Sequence, residues 1–211
     1  QITKMSSDTI RGLINLIGTE SGRGVGRGEI ACAAIFSDVK MSSSKGDLDW
    51  DGKYLEVKGT AARLGKRDRA YSNFERSSLG VLAKKYDKSD KRIDTLVANI
   101  ADEPGLQQSN LYTALLDFIK VSYPHSSIQF PREINLTNPL EVRKAITKIM
   151  ISNYAEHEGL ESFIFINTGN TRFFGRYIIF TKEQIPELVD KNLVKAGAIN
   201  ILDLDPSIGT I

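Results

Sequence analysis

Cysteine is nearly absent from this chain of 211 residues. Cys32 stands alone, so no internal disulfide can form, and its setting among Ala31, Ala33, Ala34 and Ile35 suits a small buried thiol. A reducing, cytoplasmic compartment is the corresponding expectation. Histidine is scarce as well: His125 and His157 are too few to build a zinc site or a histidine-based metal centre. Long apolar runs are missing. Phe163 to Ile166 and Tyr177 to Phe180 fall far short of the ~20 residues a membrane helix needs, so no membrane partner is expected. No G-x-x-x-x-G-K-[ST] loop occurs, which excludes an intrinsic nucleotide-driven motor. The chain opens at Gln1 without a basic and apolar leader pattern, as expected of a processed form or a fragment.

What is present is an ordinary balance of 41% apolar and 26% charged residues, enough for a packed core. The length fits one domain over 1–211, with a core over about residues 20–100 and a helical and hairpin elaboration over about 105–211. The net charge of +2 conceals an asymmetry. Gly59 to Arg92 holds ten Lys or Arg against four acids, a net +6, whereas the chain from Ala101 onward has ten basic and thirteen acidic residues, a net −3. A basic stretch within a near-neutral protein suits a polyanion-binding face; a solvated helix face with mixed charge is the bland alternative.

Periodicity predicts a mixture of helices and strands around one sheet, an α/β fold. Ile10, Leu13, Ile14 and Ile17 mark a first helix. The alternating glycines from Gly22 to Gly28 then feed a short helix that begins at Glu29. Because this glycine run follows a helix and not a strand, it does not read as a dinucleotide fingerprint, although its amides and arginines could hold one phosphate. Asp94 to Ile100 reads as a short buried strand. Leu111, Ala114, Leu115, Phe118 and Ile119 form a helical stripe stopped by Pro124, and Asn138-Pro139 opens a helix that runs to Gly159. Phe163 to Ile166 and Arg172 to Phe180 suggest a hairpin around Gly169-Asn170. Thr181 with Gln184 has capping-box spacing, and Ile199 to Leu204 reads as an edge strand.

The chemistry concentrates around Asp51-Gly52, a dipeptide suited to the positive φ angles of a type I′ turn. A two-residue loop there pairs Trp50 with Lys53, Asp49 with Tyr54, Leu48 with Leu55 and Asp47 with Glu56. Alternation then projects Asp47, Asp49, Tyr54, Glu56 and Lys58 from one face and Leu48, Trp50, Leu55 and Val57 from the other. Opposed carboxylates ~5 Å apart destabilise a sheet unless a cation lies between them. Asp47 and Glu56 are therefore candidate ligands for Mg²⁺ or Mn²⁺, hard cations that prefer oxygen. Lys58, two residues beyond Glu56, is placed to orient an attacking water or to stabilise charge on a phosphorane-like transition state. Glu29 is a further candidate for the metal's shell, or else an acid that complements its own helix dipole. An exposed hairpin whose acids simply face water is the structural alternative for the whole set.

With Gly28-Glu29 opening a helix, then Gly46-Asp47, then Glu56-Val57-Lys58 after Leu55, the sequence resembles the PD-(D/E)XK nuclease superfamily over about residues 20–70. The resemblance implies a restriction-endonuclease-like core with a central mixed β-sheet flanked by helices. It also implies Mg²⁺ held by Asp47, Glu56 and Glu29, with Lys58 assisting hydrolysis. No proline precedes Asp47, and Asp49 competes with it as the first strand acid. The implied activity is metal-dependent cleavage of nucleic acid, DNA in the first place, with Arg63, Lys66, Arg67 and Arg69 as phosphate contacts. Tyr71 and Phe74 lie among them as candidate stacking groups, with core packing the equal alternative for Phe74. A phage or mobile-element setting, as a homodimer or as a subunit of a larger complex, would suit so divergent a motif. The rival reading is a nucleic-acid-binding or assembly protein that keeps the fold without turnover.

Overall fold

The structure is a computed structural model and describes residues 29–30, 32–33, 38–43, 45–59, 62–63, 74–166, 176–197, 199 and 207–209. The protein is α/β, with a five-stranded mixed sheet flanked by helices. The chain divides into two compact units. One holds the described residues up to Ala62 together with Ala155–Val194, and the other holds Arg63–Tyr154 and Lys195–Ile208.

The first unit is built on β1 (Val39–Met41), β2 (Leu48–Trp50), β3 (Lys53–Lys58), β5 (Ser162–Ile166) and β6 (Tyr177–Thr181), in the order β1-β2-β3-β5-β6. All neighbours are antiparallel except β3 and β5, which run parallel. The sheet thus draws its two last strands from far along the chain. Its central strands are buried on both faces. On one face Leu48, Leu55, Val57, Ile164 and Ile166 pack with Val39 and with Cys32, a helical residue. On the other, Phe163, Phe165 and Phe180 form an aromatic cluster with ring centroids 5.0–5.9 Å apart, offset and edge-on as ring quadrupoles prefer. The expected pairing of the Phe163 and Phe180 segments is present, with Phe163 opposite Phe180; the turn around Gly169-Asn170 lies outside the described residues. Beyond β6, Thr181 and Gln184 close the predicted capping box at a 3₁₀ turn (Lys182–Gln184), which leads into a short helix over Ile185–Asp190.

The second unit is mainly helical: α1 (Ser78–Lys85), α2 (Ile93–Ala101), α3 (Gln108–Ser122) and most of α4 (Pro139–Glu158). A three-stranded sheet of order β4-β8-β7 joins β4 (Ala62–Arg63), β7 (Lys195–Ala196) and β8 (Ser207–Gly209). Helices α3 and α4 lie where the periodicity puts them, and the Asn138 side chain accepts the Leu140 amide at 3.1 Å as an N-cap.

The strand expected over Asp94 to Ile100 is instead α2. Its residues are apolar on nearly all sides because all but two of them are buried, and a short continuous apolar run loses the 3.6-residue period that distinguishes a helix. Asp94, in the first turn, is fully buried and accepts Arg143 Nε at 2.7 Å and Nη2 at 2.5 Å. The expected edge strand at Ile199 to Leu204 and the first helix around Ile10 to Ile17 lie outside the described residues, apart from Ile199. No described helix is long and apolar enough to cross a membrane.

Candidate active site

The β2-β3 hairpin turns at Asp51 (φ 52°) and Gly52 (φ 78°), both in the left-handed region as a type I′ turn demands. Its register pairs Trp50 with Lys53, Asp49 with Tyr54 and Leu48 with Leu55, as the sequence predicts. Asp49 Oδ1 accepts the Gly52 amide at 2.9 Å. That bond engages Asp49 in closing its own turn, and separates it from Asp47, the other candidate for the first strand acid.

Asp47 sits one residue before β2, beyond the last ladder pair of Leu48 with Leu55, so the expected pairing of Asp47 with Glu56 is not part of the register. The Asp47 N–H donates to the Leu55 carbonyl at 2.9 Å, and its Oδ2 accepts the Val57 amide at 2.7 Å. The carboxylate is fixed by the backbone of the strand that carries Glu56. Gly46 makes this possible. Its φ is +59°, and a Cβ there would lie 2.7 Å from the Leu55 carbonyl oxygen and 2.8 Å from Leu160 Cδ2, so only glycine lets the chain bend this close to β3.

Glu56 departs from the picture of a wet hairpin face. It is only 3% exposed, because β5 lies parallel against β3 and sets Phe163 beside Glu56 and Phe165 beside Lys58 on the same face. The Lys58 ammonium contacts Glu56 Oε1 and stands 4.0 Å from Asp47 Oδ2. Asp47, Glu56 and Lys58 are therefore brought together, two carboxyl groups around one side-chain amine. The donor set is all oxygen, which fits a hard divalent cation. Among the described residues Asp47 Oδ1 has no hydrogen-bond partner, since Oδ2 takes both recorded contacts.

Glu29 is placed differently. It precedes Cys32 by one helical turn, and Cys32 packs into the Leu48, Leu55 and Val57 side of the sheet, opposite to Glu56 and Lys58. Burial, followed by the nearby Glu29 charge, pushes the Cys32 thiol up to about 12, and burial with Cys32 beside it also raises the Tyr177 phenol. Among the described residues no three His, Cys, Asp or Glu side chains converge as a metal-binding group. Of the proposed phosphate contacts, Arg63 lies in β4, whereas Lys66, Arg67 and Arg69 fall outside the described residues.

Sequence reasoning missed the aromatic wall beside the site. Phe163 and Phe165 alternate at strand spacing, but nothing local to residues 47–58 indicates which distant strand will lie alongside β3. No protein-family model matches the chain, and neither does any curated protein or solved structure.

Proposed function

We propose that this chain is a metal-dependent nuclease of the PD-(D/E)XK kind, hydrolysing phosphodiester bonds in nucleic acid, DNA in the first place. One observation carries the reading. A carboxylate with 3% exposure, Glu56, is held beside two phenylalanines in ion contact with Lys58, while Asp47 is pinned by the Val57 amide within 4.0 Å of the same ammonium. A well-packed apolar residue at position 56 would be as stable or more so, and buried acids with a specific charge partner cluster at functional sites.

Asp47 and Glu56 would hold Mg²⁺ or Mn²⁺, which when bound supplies Lewis acidity toward the phosphate and acidifies a water. The protein's own groups supply the rest. Asp47 is positioned by backbone hydrogen bonds, so its carboxylate keeps its place as charge accumulates nearby. The Lys58 ammonium stabilises the charge that gathers on the phosphoryl oxygens as water attacks and the ester oxygen leaves. Phe163 and Phe165 keep water from the sheet side of Glu56, which strengthens each of these interactions.

The rival reading, a nucleic-acid-binding or assembly protein without turnover, draws support from the closed contact between Lys58 and Glu56, which satisfies the acid without any metal. A cleavage assay separates the two, using Mg²⁺ or Mn²⁺ with linear, single-stranded and branched DNA and with RNA. The nuclease reading expects metal-dependent cutting that falls at least about 100-fold in Glu56→Gln and in Lys58→Met. Binding without metal-dependent cutting of any of these polymers would establish the rival. Neutralising Lys66, Arg67 and Arg69 together should weaken binding and lower its salt slope by about three.

A further inference from the structure

We infer that Lys58 is the built-in counter-ion of the Asp47-Glu56 pair, and that a divalent cation must displace its ammonium from Glu56 in order to bind. This rests on the metal-dependent reading of the site. The ammonium lies against Glu56 Oε1 and 4.0 Å from Asp47 Oδ2, so it stands between the same two carboxylates that a metal would use. The neighbouring strand sets Phe163 and Phe165 on that face. With Glu56 only 3% exposed, water cannot easily take over the ammonium's role. A carboxylate so enclosed needs a cation at all times. Two cations cannot share one oxygen without repelling each other.

The lysine therefore does two things in sequence. It is the cation beside Glu56 in the unloaded hairpin, and once displaced from that oxygen its ammonium faces the phosphate. Loading the site and releasing the catalytic lysine are then one event, and affinity for metal is held below what the two carboxylates alone would give. Even with water-like screening, a divalent ion about 4 Å from an ammonium is repelled enough to change its affinity about thirtyfold.

The test is Mn²⁺ binding to the protein without nucleic acid, followed by isothermal titration calorimetry, for the wild type, Lys58→Met, Lys58→Gln, Lys58→Arg and Glu56→Gln. Circular dichroism melts show which variants are folded. The neutral variants should bind Mn²⁺ about thirtyfold tighter than the wild type while losing cleavage. Lys58→Arg should show no gain, and Glu56→Gln should bind more weakly. If the wild type binds Mn²⁺ and a folded neutral variant binds no tighter, Lys58 is not a competitor and the inference falls while the metal-dependent reading stands. If no form binds Mn²⁺, both fall together.

Discussion

Replacing Glu56 and Lys58 together by apolar residues, as in Glu56→Leu with Lys58→Met, should leave the fold as stable as the wild type or more so, whereas Lys58→Met alone should destabilise it markedly. Lys58 and Asp47 at 4.0 Å attract by about 4 kcal/mol at an effective dielectric of 20, and the contact with Glu56 adds to this. Against it stands the desolvation of a carboxylate that is 3% exposed, several kcal/mol in its own right, so the pair's net contribution lies near zero. Removing only the lysine takes away the ammonium in contact with this buried acid, at about 3–5 kcal/mol, or a fall in melting temperature of roughly 6–20 °C for a chain of this size. The double replacement extends the Phe163, Phe165 and Phe180 packing and avoids that penalty, with an expected change between zero and a gain of about 4 kcal/mol. Melting curves by far-ultraviolet circular dichroism, with chelator present, read both values. A double variant that melts as low as Lys58→Met would refute the reasoning. The pair would then be a net stabiliser, and its burial would need no chemical explanation.

Two further outcomes follow from particular residues. Gly52 has φ 78° with open space where a Cβ would stand, so Gly52→Ala should cost only the backbone penalty of the left-handed region, about 1 kcal/mol, read as a drop of a few degrees in melting temperature. The Cys32 thiol, raised from 9.0 to about 12 in the fold, binds its proton more tightly folded than unfolded. Its stabilising effect is complete below pH 9 and should decline by about 1.4 kcal/mol per pH unit between 9 and 12. Denaturation midpoints of the wild type and Cys32→Ala across that range should converge, and parallel curves would show that the thiol does not titrate in this way.

The hairpin was legible because its determinants are local. Asp51-Gly52 specifies the turn and the turn specifies the register from Trp50-Lys53 to Leu48-Leu55; beyond it Asp47 bonds Leu55 instead of pairing with Glu56, and the two acids share Lys58 as a neighbour. The aromatic wall was not legible, because a parallel neighbour is chosen by the packing of a whole unit and leaves no mark near residues 53–58. Strand β1 passed unnoticed for a related reason, since Val39, Lys40 and Met41 offer one buried position out of three. The opposite failure occurred at Ile93–Ala101, where burial on nearly every side erased the helical period.

The parallel alignment of β3 with β5 also has a temporal consequence. The hairpin can form as soon as Lys58 has been synthesised, but its inner edge meets its partner only after roughly a hundred more residues have been added. Until Ile166 emerges, a growing chain carries Leu55 and Val57 on an open strand edge, with Glu56 still hydrated and unable to act as a buried acid. Assembly of the site is thereby deferred until most of the protein exists. Proteolysis of nascent chains stalled on either side of Ile166 should find the hairpin protected only in the longer ones.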